Sequence, residues 1–378
     1  MIKETVINIR NKIFKFFYKF ILKPILFQMD PETVHDGFTF FGKILGSNIV
    51  TRKITELMFA YSNKMLNQRV LNMDFKNPIG MAAGFDKDVN LTDILPSVGF
   101  GFAEVGSITG EKCEGNPKPR LWRLKKSKGL VVYYGLKNDG CEKIARKIKD
   151  KKFKIPIGVS VAKTNCKETA DLQKGIDDYS KAYNTLKEFG SYMTINISCP
   201  NAFGGQPFTD ANSLSKLLDE IKKHQNEKPI FLKLPPDLPT NKLDEIIETA
   251  SKYKVSGFIC ANLTKDKHNK EINARIIDKD IPKVGGISGK PVEELADEVI
   301  KYVYKKTNGK YVIIGCGGVF SAKDAYKKIR LGASLIQMIT GMIFEGPEII
   351  SEINLGLVKL LKRDGFKNIS EAIGIDNK

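Results

Sequence analysis

The chain has 378 residues, 42% of them hydrophobic, which is enough for one large domain or two smaller ones. Its 61 lysines and arginines against 43 acidic residues give a net charge of +18, suited to nucleic acid, an acidic membrane surface or a small anionic substrate. A generally lysine-rich composition explains this charge equally well, because the lysines are spread along the whole chain. No basic run interleaved with aromatic residues follows residue 30, which argues against nucleic acid.

The cysteines and histidines predict no metal centre. The six cysteines contain no CxxC-like pair, so neither a zinc site nor an iron–sulfur cluster is indicated. The three histidines are isolated from one another. A chain of this size without a clear secretion signal is expected to keep its thiols reduced rather than to form a disulfide framework.

The N-terminal segment has the pattern of an amphipathic helix. Its apolar positions at helical spacing are Ile13, Phe16, Phe17, Phe20 and Ile21, and its opposite face carries Lys12, Lys15, Lys19 and Lys23. The lysines leave no run of ~20 predominantly apolar residues, so the helix is too polar to span a membrane. An aromatic face opposite a lysine face is typical of a helix lying in the membrane interface. A helix packed on the domain and a cleaved targeting peptide are the alternatives, and Pro24 is predicted to end the helix.

A second helix is predicted from Pro31 to about Leu45. Asp30, Pro31 and Glu32 form a typical helix start, with proline at the first position and acidic residues in the first turn. The two helices would form a small hydrophobic cap or pack on the main domain. We therefore expect a membrane-associating helical segment over residues 1–50 and a catalytic domain over residues 51–378.

From residue 77 onward, apolar segments alternate regularly with helical patterns. The predicted strands cover residues 78–84, 101–107, 155–162, 192–198, 230–235, 257–263, 311–318 and 334–340. The predicted helices cover residues 91–98, 140–149, 172–189, 213–223, 243–253, 292–304 and 322–331. Eight evenly spaced strand–helix units predict a TIM (β/α)8 barrel with a small N-terminal amphipathic extension. A doubly wound open sheet is the alternative, although it rarely reaches eight such units.

The carboxyl ends of these strands carry an unusual number of polar residues and glycines, and this is where TIM barrels place their active sites. The ends contain Lys87, Ser107, Lys163, Asn196, Cys199, Asn201, Lys233, Asn262, Gly317, Gly318, Thr340 and Gly341. A single lysine or cysteine at a strand end is usually a solvated or buried structural residue, but so many together predict an active site. The glycines after strands seven and eight are typical of a phosphate site. No GxGxxG motif follows a strand, so a mononucleotide fits better than a dinucleotide.

Four segments resemble the dihydroorotate dehydrogenases: residues 77–87, 116–124, 196–201 and 285–291. The resemblance runs from about residue 27 to residue 350. Residues 27–32, together with His35 and residues 116–124, are similar to the membrane-associated, quinone-dependent class 2 enzymes, in which two N-terminal helices form a hydrophobic quinone tunnel.

The resemblance implies the roles of individual residues. FMN contacts would come from Ala82, Ala83, Ser107, Asn196, Lys233, Gly289, Gly318 and Thr340. Substrate contacts would come from Lys87, Asn196, Asn201 and Asn262. Cys199 would be the base that removes the C5 proton of dihydroorotate, and Lys87 would bind the substrate carboxylate and favour the thiolate of Cys199. No metal or nucleic acid is expected. The protein would lie on the cytoplasmic face of a membrane, or on the mitochondrial inner membrane in a eukaryote.

The sequence also departs from the class 2 pattern. Class 2 enzymes use a serine as base, whereas Cys199 and the double glycine at 204–205 are similar to soluble class 1 enzymes. The orotate loop at residues 131–138 lacks the family asparagine and has Val132 and Tyr133 instead, and Ser160 and Ala261 replace a family asparagine and threonine. Fumarate or NAD as the electron acceptor, and a paralogous FMN barrel acting on another substrate such as RNA uridine, are therefore alternatives.

Overall fold

The computed structural model describes residues 2–267, 269, 272 and 275–377. The strands are β1 (Gln68–Val70), β2 (Met73–Phe75), β3 (Ile79–Met81), β4 (Phe102–Ile108), β5 (Leu121–Leu124), β6 (Gly129–Val132), β7 (Ile157–Val161), β8 (Tyr192–Asn196), β9 (Ile230–Leu234), β10 (Val255–Cys260), β11 (Gly286–Gly289), β12 (Val312–Cys316) and β13 (Leu335–Met338). Four N-terminal helices are α1 (Ile2–Phe17), α2 (Lys23–Leu26), α3 (Pro31–Ser47) and α4 (Ile49–Phe59). The later helices are Leu95–Val98, Cys141–Ile148, Leu172–Leu186, Ala211–Lys222, Thr240–Ser251, Glu293–Thr307, Ala322–Arg330, Thr340–Glu345 and Ile349–Arg363.

Eight parallel strands close into a barrel in the order β3-β4-β7-β8-β9-β10-β12-β13, and β13 pairs with β3. These strands read as apolar runs in the sequence because helices cover their outer faces while side chains fill the interior. Each of the eight predicted strands coincides with one barrel strand. The predicted TIM barrel is confirmed.

The amino-terminal end of the barrel is closed by the β1–β2 hairpin. Phe75 of β2 enters the barrel and packs edge-on against Phe102, with ring centroids 5.5 Å apart. Tyr192 and Phe231 form a second aromatic pair in the same buried cluster. Because this end is filled with aromatic side chains, a ligand can approach only the opposite end, where the strands finish.

A small antiparallel sheet of β5, β6 and β11 was not predicted. The segment expected to be the orotate loop begins inside it, since β6 ends at Val132. β11 ends at Gly289, so the sheet connects two segments that the sequence had placed at the active site. Strands of four residues are too short for alternation to be recognised in the sequence.

The N-terminal helix is longer than expected, and the prediction that Pro24 ends it is wrong. A π-helical turn, Tyr18–Leu22, joins α1 to α2, and Pro24 lies within the first turn of α2. Proline has no N–H to donate, and its ring clashes with the preceding turn of a regular helix. The wider π turn before Pro24 relieves both problems. The second helix begins as predicted, because the Asp30 side chain accepts a hydrogen bond from Thr33 N at 2.8 Å. The proposed boundary after residue 50 falls inside α4.

The polar face of α1 and the π turn contacts the barrel domain. Its side-chain contacts with the helices Thr340–Glu345 and Ile349–Arg363 are Asn11 Nδ2 to Ser351 Oγ (3.0 Å), Lys15 Nζ to Glu352 Oε2 (2.6 Å), Tyr18 OH to Ile343 O (2.6 Å), Lys19 to Glu345, and Lys23 Nζ to Phe344 O (2.9 Å). Residues four apart share one helix face, so this stripe faces the barrel continuously. Three of the four predicted surface lysines therefore bind the protein itself.

The opposite face of the N-terminal helices is apolar and exposed. In the described part of the chain, all but four of the exposed large apolar side chains lie between Val6 and Leu57. Phe20 is 69% exposed and Leu57 is 76% exposed. An exposed apolar surface of this extent marks an interaction site. None of the helices in the described residues has the length and apolar character required to cross a membrane.

Candidate active site

The main cavity opens at the carboxyl ends of the barrel strands. Six of the eight residues predicted to bind the cofactor line it: Ala82, Ala83, Lys233, Gly289, Gly318 and Thr340. The predicted substrate residue Asn262 lines it as well. The cavity continues outward past His35, Leu121, Tyr134 and Ile343, so its outer part is mainly apolar and leads toward the N-terminal helices.

The other two predicted cofactor residues lie in a hydrogen-bond chain across the strand ends. Ser107 Oγ is 2.8 Å from Ser160 Oγ and accepts a hydrogen bond from Asn196 Nδ2, also at 2.8 Å. Asn196 Oδ1 accepts from Ser198 Oγ at 3.0 Å, and Asn262 Nδ2 donates to Ser198 Oγ at 3.0 Å. This chain fixes the orientation of both amides. Ser160, which stands where the family has asparagine, belongs to it.

Two glycines bring the backbone close to the cavity wall. Gly289 has φ +92°, and a Cβ there would lie 2.5 Å from Lys128 O and 2.7 Å from Thr340 Cγ2. Gly318 has φ +73°, and a Cβ there would collide with Glu293. Ser288 Oγ and Thr340 Oγ1 are 3.0 Å apart at the same place. Backbone amides and hydroxyls in this arrangement suit a phosphate group.

Lys233, near the end of β9, is a second feature that suits an anionic or electron-rich ligand. It is 3% exposed, and it forms no ion pair with any carboxylate in the part of the chain that the structure describes. A buried ammonium without an anionic partner is unfavourable unless a ligand supplies the negative charge. The cavity thus combines a phosphate-type loop at one end with a cation deeper inside.

Cys199 lies three residues beyond the end of β8 and is half-buried. It lines a smaller cavity together with Lys163, Tyr179, Asn196 and Gln206. Burial raises the pKa of the Cys199 thiol, while the backbone N–H of Asn201, Lys265 and Lys163 oppose this effect. The prediction that Lys87 provides this positive charge is therefore not supported, because the main cationic influences come from Lys265 and Lys163.

Lys87 lies on a different side of the site. Its Nζ is 3.8 Å from the centroid of the Tyr134 ring and 3.5 Å from His35 Nε2. Burial lowers the pKa of Lys87 to about 8. Lys43 and Lys137 line the same cleft. Asp36 and Asp88 line it as well, so the cleft sets three lysines against two carboxylates and is only weakly positive toward an approaching anion.

Asn201 connects the Cys199 loop to the small sheet. Its Nδ2 donates to Val132 O at 2.8 Å. Its Oδ1 is buried and has no hydrogen-bond partner among the described residues. An unsatisfied buried acceptor at a cavity edge is available to an N–H of a ligand. Val132 thus replaces the family asparagine but contributes its carbonyl oxygen to hold Asn201.

Two further asparagines, given no role in the sequence analysis, position this loop. Asn165 Nδ2 donates to Asn116 Oδ1 at 3.0 Å, and Asn165 Oδ1 accepts from Phe203 N at 2.8 Å. Asn116 Nδ2 donates to Asn201 O at 3.1 Å. Asn116 stands at the start of the 116–124 motif, so that motif could have indicated its role. No pattern in the sequence indicated a role for Asn165.

The 116–124 motif also attaches the N-terminal helices. Arg120 forms a buried pair with Glu32 of α3, with Nη2 2.8 Å from Oε1 and Nε 3.1 Å from Oε2. Burial would raise the pKa of Glu32, but the Arg120 hydrogen bonds and charge outweigh it, so this pKa is lowered. Arg123 Nη1 donates to Met29 O at 2.9 Å.

The fold and the site define an α/β-barrel enzyme with a glycine-lined cavity at the carboxyl ends of its strands. Residues 65–361 match the family model described as dihydroorotate dehydrogenase. A dihydroorotate dehydrogenase (quinone) of Trichodesmium erythraeum is 37% identical over 377 residues, covering 96% of this chain and 99% of that protein. One of Nautilia profundicola is 36% identical over 372 residues, covering 94% and 96%.

A solved structure agrees with these relatives. The ligand-free DHODH of Eimeria tenella superposes with a TM-score of 0.81 at 26% identity, covering 92% of this chain and all of that one. The chain belongs to the dihydroorotate dehydrogenase family.

Proposed function

We propose that the protein oxidises dihydroorotate to orotate and passes the electrons through FMN to a membrane quinone, in de novo pyrimidine (UMP) biosynthesis. One observation carries the choice of quinone. The relatives named for quinone match 94–96% of this chain, whereas the family model begins only at residue 65. The likeness therefore includes the N-terminal helices, which a soluble enzyme would not need.

The residues around the main cavity fit FMN. Gly289, Gly318 and Thr340 would hold the phosphate, and Lys233 would face the electron-rich part of the flavin ring. Ala82, Ala83, Ser107 and Asn196 would complete the site. Bound FMN supplies a two-electron acceptor that can be reoxidised by a quinone.

The substrate would lie between the main cavity and Cys199. Cys199 would remove the proton from C5, since it is the thiol at the end of β8. Lys87 would attract the carboxylate of dihydroorotate. Asn196, Asn201 and Asn262 would orient the ring, and their side chains are held by hydrogen bonds to Ser107, Val132 and Ser198. A pre-oriented set of amides reduces the entropy lost when the substrate is positioned.

The orientation of α1 supports attachment to a membrane surface. Lys15 of α1 and Lys19 of the π turn are directed toward the barrel, and Phe16, Phe17 and Phe20 are exposed. A helix with this exposed face gains by entering the headgroup and acyl-chain boundary of a lipid layer. We place the N-terminal unit over residues 1–59, to include all of α4, and the catalytic barrel after it. Peripheral attachment would be on the cytoplasmic face, or at the mitochondrial inner membrane in a eukaryote.

Anaerobic titration of the flavin-loaded protein tests the proposal. Dihydroorotate should bleach the flavin absorbance, and a ubiquinone or menaquinone analogue should restore it, whereas fumarate and NAD should not. Restoration by fumarate alone would favour a class 1-type enzyme, which the cysteine at position 199 makes the second candidate. Absence of bleaching would contradict dihydroorotate as the substrate and favour a paralogue such as an RNA-modifying barrel.

A further inference from the structure

Lys163 is a buried cation to which the proposed reaction gives no role. It follows β7, is 3% exposed, and donates from Nζ to Phe203 O at 2.5 Å. No carboxylate within the described residues lies within ion-pair distance of it. One backbone carbonyl does not neutralise a buried ammonium, so an anion should be present nearby in the functional state.

The small cavity beside Lys163 contains one group that can become that anion. Lys163, Tyr179 and Cys199 are its titratable lining residues. Tyr179 is committed elsewhere, because its hydroxyl donates to Asn196 O at 2.6 Å and burial strongly raises its pKa. The Cys199 thiol is therefore the group in this cavity that can carry a negative charge opposite Lys163.

We propose that Lys163 is a positioning residue whose ammonium is the counter-ion of the Cys199 thiolate. This inference rests on the proposed role of Cys199 as base. Loss of the thiol proton to solvent beside the Lys163 ammonium gives the thiolate. The thiolate then takes the C5 proton of dihydroorotate, and that proton leaves to solvent before the next turnover. A neighbouring lysine is a recognised means of increasing the thiolate fraction of a cysteine.

The other charged and titratable groups around this pair are compatible with the assignment. Lys265 also lowers the pKa of Cys199, but its side chain is exposed and therefore screened by solvent. Asp178 already accepts hydrogen bonds from Thr164 N at 2.6 Å and Thr164 Oγ1 at 2.7 Å. The nearby thiols of Cys113 and Cys166 bear no charge when protonated, and Cys113 donates to Gly135 O.

Asn165 provides a matched control. Like Lys163, it holds the Cys199 loop through the backbone of Phe203, here by accepting from Phe203 N at 2.8 Å. It carries no charge. Replacing Asn165 therefore removes one hydrogen bond to the Cys199 loop and leaves the charge unchanged. Replacing Lys163 removes a hydrogen bond to the same loop and a positive charge as well.

The experiment measures the pH dependence of iodoacetamide alkylation at Cys199 in the flavin-loaded protein, with each cysteine resolved by peptide mass spectrometry. Lys163→Gln retains a hydrogen-bond donor for Phe203 O, and Lys163→Met retains only the apolar stem. Both should raise the pH midpoint of Cys199 alkylation by about one unit, as expected when a close opposite charge is lost. Lys163→Arg should restore the wild-type midpoint, and Asn165→Ala should leave the midpoint in place.

A wild-type midpoint in Lys163→Gln would overturn the proposal. So would an equal shift in Asn165→Ala, because the cause would then be loop position and not charge. Failure of the proposed function is distinguishable: Cys199→Ala with near wild-type flavin reduction in a single turnover would refute the base assignment, whereas the alkylation midpoint reports the Lys163–Cys199 pair independently of the reaction.

Discussion

The barrel and the N-terminal helices arrange polar and apolar side chains in opposite ways. The barrel buries aromatic pairs such as Phe75–Phe102 and places its asparagines and lysines around a cavity. The segment from α1 through the π turn to α2 directs Lys15, Lys19 and Lys23 toward the protein and leaves Phe16 and Phe20 exposed. The N-terminal helices therefore make directional polar contacts with the barrel, and their apolar surface remains exposed.

The strongest test of this contrast removes the buried attachment. Glu32→Gln should leave the Arg120 guanidinium without its carboxylate and weaken docking of α3 by about 3–5 kcal/mol, the range for breaking one side of a buried ion pair. Faster hydrogen exchange and proteolysis in residues 31–47, with the barrel unchanged, would be the expected result. Because the pKa of Glu32 is lowered, its contribution should persist above the ordinary carboxyl pKa and disappear only as the pH falls through the folded value.

Glu56→Gln is the control for this variant, since Glu56 forms only an exposed pair with Lys53 at 2.9 Å. Exposed pairs contribute about 0–1 kcal/mol. Equal effects of the two substitutions would mean that α3 is not held by the Arg120 pair.

The next largest effect is expected on the outer face. Replacing Phe16 and Phe20 together with serine removes two exposed aromatic side chains, each contributing about 1.5–3 kcal/mol when buried. Sedimentation with vesicles should show at least a hundredfold weaker binding, while anaerobic reduction of the flavin by dihydroorotate stays unchanged. Phe203→Ser is the control, because Phe203 is 53% exposed on a barrel loop. Loss of vesicle binding in that variant as well would place the membrane surface elsewhere.

A third test concerns the boundary between the two regions. Glu348 is fully buried, neither carboxylate oxygen has a hydrogen-bond partner among the described residues, and burial raises its pKa to about 7. A carboxyl group whose pKa is higher in the folded protein than in the unfolded chain destabilises the folded state. This destabilisation begins as the pH rises above the pKa of the unfolded chain, and it is complete once the pH exceeds the pKa of the folded protein. Glu348→Gln should therefore stabilise the protein by about 3 kcal/mol at pH 8 and by almost nothing at pH 4.

Thermal unfolding at the two pH values measures this difference. The exposed Glu298→Gln is the control. A gain in Glu348→Gln that is equal at pH 4 and pH 8 would show that the ionised carboxylate is not the cause.

The smallest predicted effect concerns Lys87 in the barrel. Since its pKa is about 8, its ammonium should be lost as the pH rises through that value. The KM for dihydroorotate should then increase about tenfold per pH unit above 8, if the charge is needed for the carboxylate. Lys87→Met should have a high KM without this pH dependence, and the KM for the quinone analogue should not change. If the KM values for dihydroorotate and for the quinone analogue rose together, Lys87 would not be a specific ligand of the dihydroorotate carboxylate.

The sequence predicted the features that depend on local pattern. All eight barrel strands were recognised because each is an apolar segment followed by a helix, and most of the cavity lining follows from where those strands end. The side of the N-terminal helix that faces the barrel could not be predicted in this way. The helical spacing of Lys15 and Lys19 showed an amphipathic helix, but their partners Glu352 and Glu345 lie more than 300 residues later in the chain.

The charge beside Cys199 was missed for the same reason. Lys87 and Lys163 both follow a barrel strand, and only the closed barrel shows that Lys163 shares a cavity with Cys199 while Lys87 contacts Tyr134 and His35. The prediction that Pro24 ends the helix was wrong because a proline normally does so, and the π turn that accommodates it has no recognisable sequence pattern.

The Arg120 side chain links the two regions through a single guanidinium. It binds Glu32 of α3 on one side and the carbonyl of Asn116 at 2.9 Å on the other, and Asn116 in turn holds the backbone of Asn201. A displacement of α3 is thereby transmitted to a residue of the proposed dihydroorotate site. Thermodynamic reciprocity then requires that, if quinone or lipid binding shifts the affinity for dihydroorotate through this link, dihydroorotate shifts theirs by the same factor.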